Sequence, residues 1–165
     1  MCQNRLTTTE EAPLTDMLLI ATDGSLSSRE AVDVGVRLAR ERGASVTFVH
    51  SSPDLARMFF ERNDLTVPTR DEVAAADPVL SAALDRAVEA GVEAELRVLG
   101  EEGARDVAAA IVGAGQGAHA ALIVVGARGR GALTESVVGS VSRTVMEMSR
   151  IPVVIVHAHE PADAA

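Results

Sequence analysis

Gly126, Gly129 and Gly139, with Arg128 and Arg130 set among them, make up the part of this chain best suited to chemistry on an anion. They lie in the stretch from Gly126 to Ser142, GARGRGALTESVVGSVS. It follows the apolar run Ala121-Leu122-Ile123-Val124-Val125 and leads into Val141-Ser142-Arg143-Thr144-Val145-Met146-Glu147-Met148. The pattern predicts a buried strand, a glycine-rich turn and a helix N-terminus. Glycine has no Cβ, so the backbone can take positive φ and approach a ligand closely. Successive N–H groups in such a turn cradle oxyanions. The first N–H groups of a helix lack internal acceptors, and its dipole adds about half a positive charge there. The arginines add full charges. A phosphate-bearing ligand, foremost a nucleotide, fits this chemistry. The competing reading is that the glycines serve turns and packing and the arginines form a solvated rim.

The spacing G-x2-G-x9-G-S, from Gly126 through Gly129 to Gly139-Ser140, separates this stretch from other phosphate loops. No Gly-Lys-Ser/Thr follows the turn, which excludes the P-loop. The glycines are too spread for the dinucleotide fingerprint, and they do not follow the first strand. The spacing resembles the nucleotide-binding signature of the universal stress protein family, G-x2-G-x9-G-[ST]. Val141-Ser142-Arg143 and the late run Ile151-Pro152-Val153-Val154-Ile155-Val156 look like that family too. The resemblance implies an adenine nucleotide, ATP or AMP or a related one, with Mg²⁺ as an accompanying cation. The implied contacts are Gly126, Arg128, Gly129, Arg130, Gly139, Ser140, Val141 and Ser142. Ala21-Thr22-Asp23-Gly24-Ser25 matches the family's Pro/Ala-x-Asp-x-Ser pattern, which adds Ala21 and Asp23, and the resemblance also implies a backbone contact at Ser51. From residue type alone, Asp23 is either a turn residue bonding its own backbone or a carboxylate for adenine, ribose or a phosphate-bound metal. Ser140 is expected to cap its helix. Ala121 departs from the family, which often has Asp there, but at the end of the strand far from the ligand.

The elements that must position these residues are legible as alternating strands and helices. Met17-Leu18-Leu19-Ile20-Ala21 is a continuous apolar run, as for a strand buried on both faces. Ser27 and Glu30 have capping-box spacing, so a helix is expected from there, with Val32, Gly35, Val36 and Ala39 on one face and an end at Gly43. A second strand runs from Ala44 to Val49. Residues 52–70 show no clear period and read as a loop holding the apolar Met58-Phe59-Phe60. Asp77-Pro78 starts a helix that uses Leu80, Leu84, Ala87 and Val88, with 71–76 as an earlier, kinked turn of it. Val92 to Leu99 alternates charged and apolar residues, as an edge strand does. The helix after Gly103 presents Val107, Ala110, Ile111 and Ala114, and Val153 to His157 is the last strand. The β-α-β-α-β-α-β-α-β pattern predicts an open parallel five-stranded sheet with helices on both faces, crossing over right-handedly. The resemblance implies the order 3-2-1-4-5, an adenine nucleotide alpha hydrolase-like fold. Residues 1–15 and 159–165 read as tails around one domain, 16–158.

Composition narrows the partners. The chain of 165 residues carries a net charge of −9, and 2% of it is aromatic, so neither phosphate backbones nor stacked bases are well served. Nucleic acid is therefore not expected as a partner. No apolar run of membrane length and no export signal is legible, so no membrane association and a cytoplasmic location are expected. The single Cys2 cannot form an intrachain disulfide. His50, His119, His157 and His159 are scattered, without the spacing of a helical metal pair, and no nucleophile elbow is present. Neither a catalytic residue nor a metal site is assigned. Glu101 and Glu102 read as exposed turn carboxylates that lie within reach of the crevice. The expected function is a regulator that holds an adenine nucleotide and signals its state to a protein partner. Two alternatives stand beside it: a slow ATPase or nucleotidyl-transfer enzyme at the same site, and a dimeric interaction module with a structural nucleotide. A homodimer is expected through Val153 to Val156, an apolar strand at the sheet edge.

Overall fold

The computed structural model describes residues 16–62, 67–129 and 138–159. The expectations for Arg130 and for both tails, apart from His159, lie outside the described residues. The elements are β1 (Met17–Ala21), α1 (Leu26–Arg42), β2 (Ser45–Ser51), α2 (Pro53–Phe60), α3 (Arg70–Ala76), α4 (Pro78–Ala90), β3 (Ala94–Leu99), α5 (Ala104–Gly117), β4 (Leu122–Gly126), α6 (Ser140–Met148) and β5 (Val153–Val156). All strands are parallel, in the order β3-β2-β1-β4-β5. The expected sheet and strand order are therefore present.

Two cores flank the sheet. Leu18, Ile20, Val46, Phe48 and Val124 pack with α1 and α4 on one face. Leu19, Val49, Ile123 and Val125 pack with α5 and Val145 of α6 on the other. Successive side chains of a strand point to opposite faces, which is why the central strands need unbroken apolar runs. β3 has one neighbour and alternates, with Glu95 and Arg97 exposed. Gly35 lies where α1 crosses the sheet: a Cβ there would stand 2.3 Å from Ile20 Cδ1. The expected face of α1, Val32, Gly35, Val36 and Ala39, is buried.

Several local expectations are corrected. The cap of α1 is Ser25, not Ser27; the Ser25 side chain accepts from the Ser28 amide. Ser27 is used elsewhere, as described below. Residues 53–60 form α2 instead of loop, because Pro53 sits at the first helical position with Asp54 behind it. Eight residues are too few for periodicity to reveal. Residues 70–76 form a separate helix, not a kinked turn. Asp77 is extended (φ −120°), as the residue before a proline prefers to be, and this breaks the chain between α3 and α4. Its Oδ1 accepts from the Val79 and Leu80 amides at 2.9 and 3.1 Å. On α4 the buried residues are Leu80, Ala83 and Ala87, and Val88 is exposed. On α5 they are Ala108, Ile111, Val112 and Gly115.

α3 begins with a reciprocal capping box between Thr69 and Glu72. The Thr69 amide first, then the Arg62 guanidinium, hold the Glu72 carboxyl down to about 2. A depressed carboxylate contributes fully above its ordinary range, so this cap weakens only as pH falls from that range toward 2.

The packing separates two glycines that composition treats alike. A Cβ on Gly126 would meet the Ser28 amide nitrogen at 2.6 Å and the Ser27 carbonyl carbon at 2.7 Å, both backbone atoms. A Cβ on Gly113, exposed in α5, would meet nothing within 4 Å. Gly126→Ala is expected to lose about 2–3 kcal/mol through overpacking, a fall in midpoint of roughly 5–10 °C. Gly113→Ala should gain about 0.5–1 kcal/mol from helix propensity. Thermal and urea unfolding of both variants check the opposite signs; a Gly126→Ala variant as stable as wild type contradicts the close approach.

Candidate functional site: the cleft at the strand reversal

β1 and β4 are neighbours at the point where the strand order reverses, paired from Leu18↔Leu122 to Ala21↔Val125. Ligands of open α/β sheets bind beyond the carboxyl ends of strands at such a point. Here the C-terminal ends border a cleft of about 710 Å³. Ala21, Asp23, Ser51, Gly126, Arg128, Gly129, Gly139, Ser140, Val141 and Ser142 all line it. Arg130, the remaining expected residue, lies outside the described residues.

The anion end is built by β4, the loop after it and α6. The Gly139 amide donates to Ala127 O at 2.6 Å, returning the chain to the strand end. α6 starts at Ser140 with Gly139 as its cap residue, and among the described residues no side chain caps it. The expected capping role of Ser140 is thus corrected: Ser140 is the first helical residue. Ser140, Val141 and Ser142 carry the first helical N–H groups, which an α-helix leaves without internal acceptors. The buried Ser142 hydroxyl donates to Gly126 O at 2.6 Å and ties the helix start to the strand end. Arg128 lies on the cleft wall, and so does Arg143 from the first turn of α6.

Gly126, Gly129 and Gly139 serve space, not handedness. Among the described glycines, positive φ occurs at Gly24, Gly43, Gly91 and Gly103, and not at Gly126, Gly129 or Gly139. A Cβ on Gly129 would lie 2.7 Å from Asp23 Oδ2, and one on Gly139 would lie 3.3 Å from Ala127 O. Gly129 therefore presses against the turn after β1, and Gly139 against the chain just after β4.

The first turn of α1 fixes this loop. Ser25 Oγ donates to Arg128 O at 3.1 Å, Ser27 Oγ donates to the same carbonyl, and the Arg128 amide donates to Ser27 Oγ at 3.1 Å. Ser27 and Ser28 are buried. Asp23 behaves partly as a turn residue, its Oδ1 accepting from the Ser25 amide at 2.9 Å. Its Oδ2 lies at the Gly129 side, inside the cleft.

The opposite end is apolar. Val49, Leu99, Val107, Ile111 and Val125 line it, beside Ser51 and His50. The Ser51 hydroxyl donates to Glu101 O at 2.5 Å, so its side chain is held by the protein. The Glu101 and Glu102 side chains are exposed. None of Val49, His50, Leu99, Val107, Ile111 and Arg143 was assigned to a site from sequence. Leu99 and Val49 were findable as residues at strand ends, which share one edge in a parallel sheet. Val107 and Ile111 were legible only as a core face. Among the described residues, no group of three or more His, Cys, Asp or Glu side chains gathers to hold a metal. No described helix is long and apolar enough to cross a membrane.

Known proteins share this architecture and sequence. A family model described as "Universal stress protein family" matches residues 16–157. The universal stress protein YxiE of Bacillus subtilis (strain 168) is 33% identical over 147 residues, covering 84% of this chain and 97% of that protein. The structure of a universal stress protein from Archaeoglobus fulgidus superimposes with a TM-score of 0.60 at 26% identity, over 86% of this chain and 93% of that one. An A. fulgidus universal stress protein in complex with dAMP gives a TM-score of 0.59 at 26% identity, over 86% and 97%. A universal stress protein in complex with cAMP gives 0.62 at 26% identity, over 88% and 98%. With the family's pattern spanning the whole described sheet and its loop spacing in place, this chain belongs to the universal stress protein family.

Proposed function

We propose that the cleft holds an adenine nucleotide, its phosphates at the Gly126–Ser142 loop and its base toward the ends of β2 and β3, and that the protein is a nucleotide-dependent regulator of the stress response. The observation that carries this is the uncapped start of α6 beside two arginines, Arg128 and Arg143, at the strand reversal. An anion there would meet unfilled N–H groups, the helix dipole and positive charge together. The apolar far wall of Val49, Leu99, Val107 and Ile111 suits a flat base. Relatives in complex with cAMP and dAMP support an adenine nucleotide in particular. Asp23 would accept from the nucleoside, and the Ser51 backbone would meet the base. Mg²⁺ fits as a companion of the phosphates, with Asp23 the carboxylate that lines the cleft.

ATP at ~100 Kd should stabilise the protein by about 2.7 kcal/mol, a rise in midpoint of roughly 5–10 °C. Gly129→Val should remove the shift, since its Cβ is directed at the Asp23 carboxylate. An unchanged shift in a folded Gly129→Val variant argues against this site. The enzyme alternative is separated in the same samples: turnover of ~1 s⁻¹ or faster that Asp23→Ala abolishes would make this an ATPase, where negligible hydrolysis is expected.

The proposal extends to a homodimer through β5. This strand pairs only with β4 among the described residues, is wholly apolar, and is half-buried along its length. Unpaired backbone on an apolar edge invites pairing with a second copy about a two-fold axis. Val153 and Ile155 pack toward the α5 face, Val154 and Val156 toward the α1 face. Each is changed to Lys in turn, with circular dichroism to confirm folding. Sedimentation velocity should find wild type dimeric at ~50 μM and at least one folded variant monomeric; a monomeric wild type sinks the dimer.

A further inference from the structure

One hydroxyl of α1 holds both backbone groups of a cleft residue. Ser27 Oγ donates to Arg128 O, and the Arg128 amide donates to Ser27 Oγ at 3.1 Å. A hydroxyl can do both because it carries one proton and two lone pairs. Ser25 Oγ donates to the same carbonyl at 3.1 Å. Arg128 O is therefore directed at the first turn of α1, where Ser27 is buried. No peptide bond among the described residues is cis. In a trans peptide the C=O of one residue and the N–H of the next point in opposite directions. With Arg128 O turned toward α1, the Gly129 N–H is turned away from it.

The side away from α1 is that of the cleft. α1 packs on the sheet face of Leu18 and Ile20, whereas the apolar wall of the cleft and α6 belong to the face of Leu19, Val49 and Val125. Gly129 lines the cleft, and its nitrogen lies 3.9 Å from where a Gly139 Cβ would stand, beside the start of α6. Its amide makes no hydrogen bond among the described residues. We infer that Ser27 is a positioning residue for the phosphate end: it sets the Arg128–Gly129 peptide so that the Gly129 N–H, and not Arg128 O, faces the bound anion. A peptide turned the other way would present carbonyl lone pairs to the phosphate, putting a repelling acceptor where a donor should be. Arg128 then meets the ligand with its side chain alone, its backbone being committed to α1. Ser27 does not itself line the cleft, and it stands outside the Ala21-Thr22-Asp23-Gly24-Ser25 match, so it acts through Arg128. The inference rests on the proposed nucleotide site and adds what orients its donors.

AMP and adenosine separate the phosphate end from the rest of the cleft, since only AMP carries the anion. Their binding is measured by calorimetry on wild type, Ser27→Ala and Ser27→Thr, with circular dichroism to confirm folding. Ser27→Ala should weaken AMP by about tenfold or more and leave adenosine within about twofold. Ser27→Thr keeps a hydroxyl and should restore most of the AMP affinity. A merely structural Ser27 would weaken AMP and adenosine alike, or neither, and either result in a folded Ser27→Ala variant overturns the inference while the site stands. Wild type supplies a second readout that needs no variant to fold. In isotope-labelled protein, nuclear magnetic resonance should find the Gly129 amide proton moved downfield by AMP and not by adenosine. A Gly129 amide that AMP leaves in place, or an Arg128 amide that moves downfield in its stead, overturns the inference without any substitution. If neither AMP nor adenosine binds wild type, the nucleotide site itself fails, and the inference with it.

Discussion

The junction between the end of β4 and the first turn of α1 is the constraint on which the cleft depends. The two backbones approach so closely that Gly126 has no room for a Cβ between itself and Ser27-Ser28. One residue beyond the strand, Ala127 is buried; one further, both backbone groups of Arg128 are taken by serines of α1. A loop that leaves a strand would ordinarily satisfy its backbone with water. Here it is pinned by hydroxyls from the element that follows β1, the neighbouring strand. The strand reversal is thus a place where β1 and β4 share one rim, held at one separation.

That rim explains the division of labour along the cleft. Among the described residues, the β4–α6 side offers helix-start amides without a capping side chain, with positive charge from Arg128 and Arg143. The β2–β3 side offers apolar walls from Leu99, Val107 and Ile111, because α5 covers that face of the sheet up to its edge. Charge at one end and apolar surface at the other is the polarity of a nucleotide. The proposed ligand therefore lies along the sheet edge, across strand ends.

The same economy recurs at Asp77. One carboxylate breaks α3 from α4, caps α4 and orients His50 on β2. Burial makes these roles interdependent, since a fixed carboxylate is what gives the imidazole a defined donor and acceptor.

The sequence by itself determined the parallel sheet, because strands buried on both faces require apolar runs and parallel connections require helices between them; the strand order was permitted by that pattern and implied by the family resemblance. It also determined the loop, because G-x2-G-x9-G-S is a spacing that few backbones need. It did not determine how the loop is held. Ser27 reads as a helix cap in one dimension, since capping-box spacing is local; the structure gives the cap to Ser25 and turns Ser27 to Arg128, 101 residues away, because β4 lies beside α1 only in the folded sheet. Glycine was read as conformational freedom, whereas Gly126 and Gly129 are required by neighbours that sequence distance conceals. His50 carried no local signal at all. Its partner, Asp77, is 27 residues on, and their pairing follows from α4 packing over β2, which the tertiary structure alone decided.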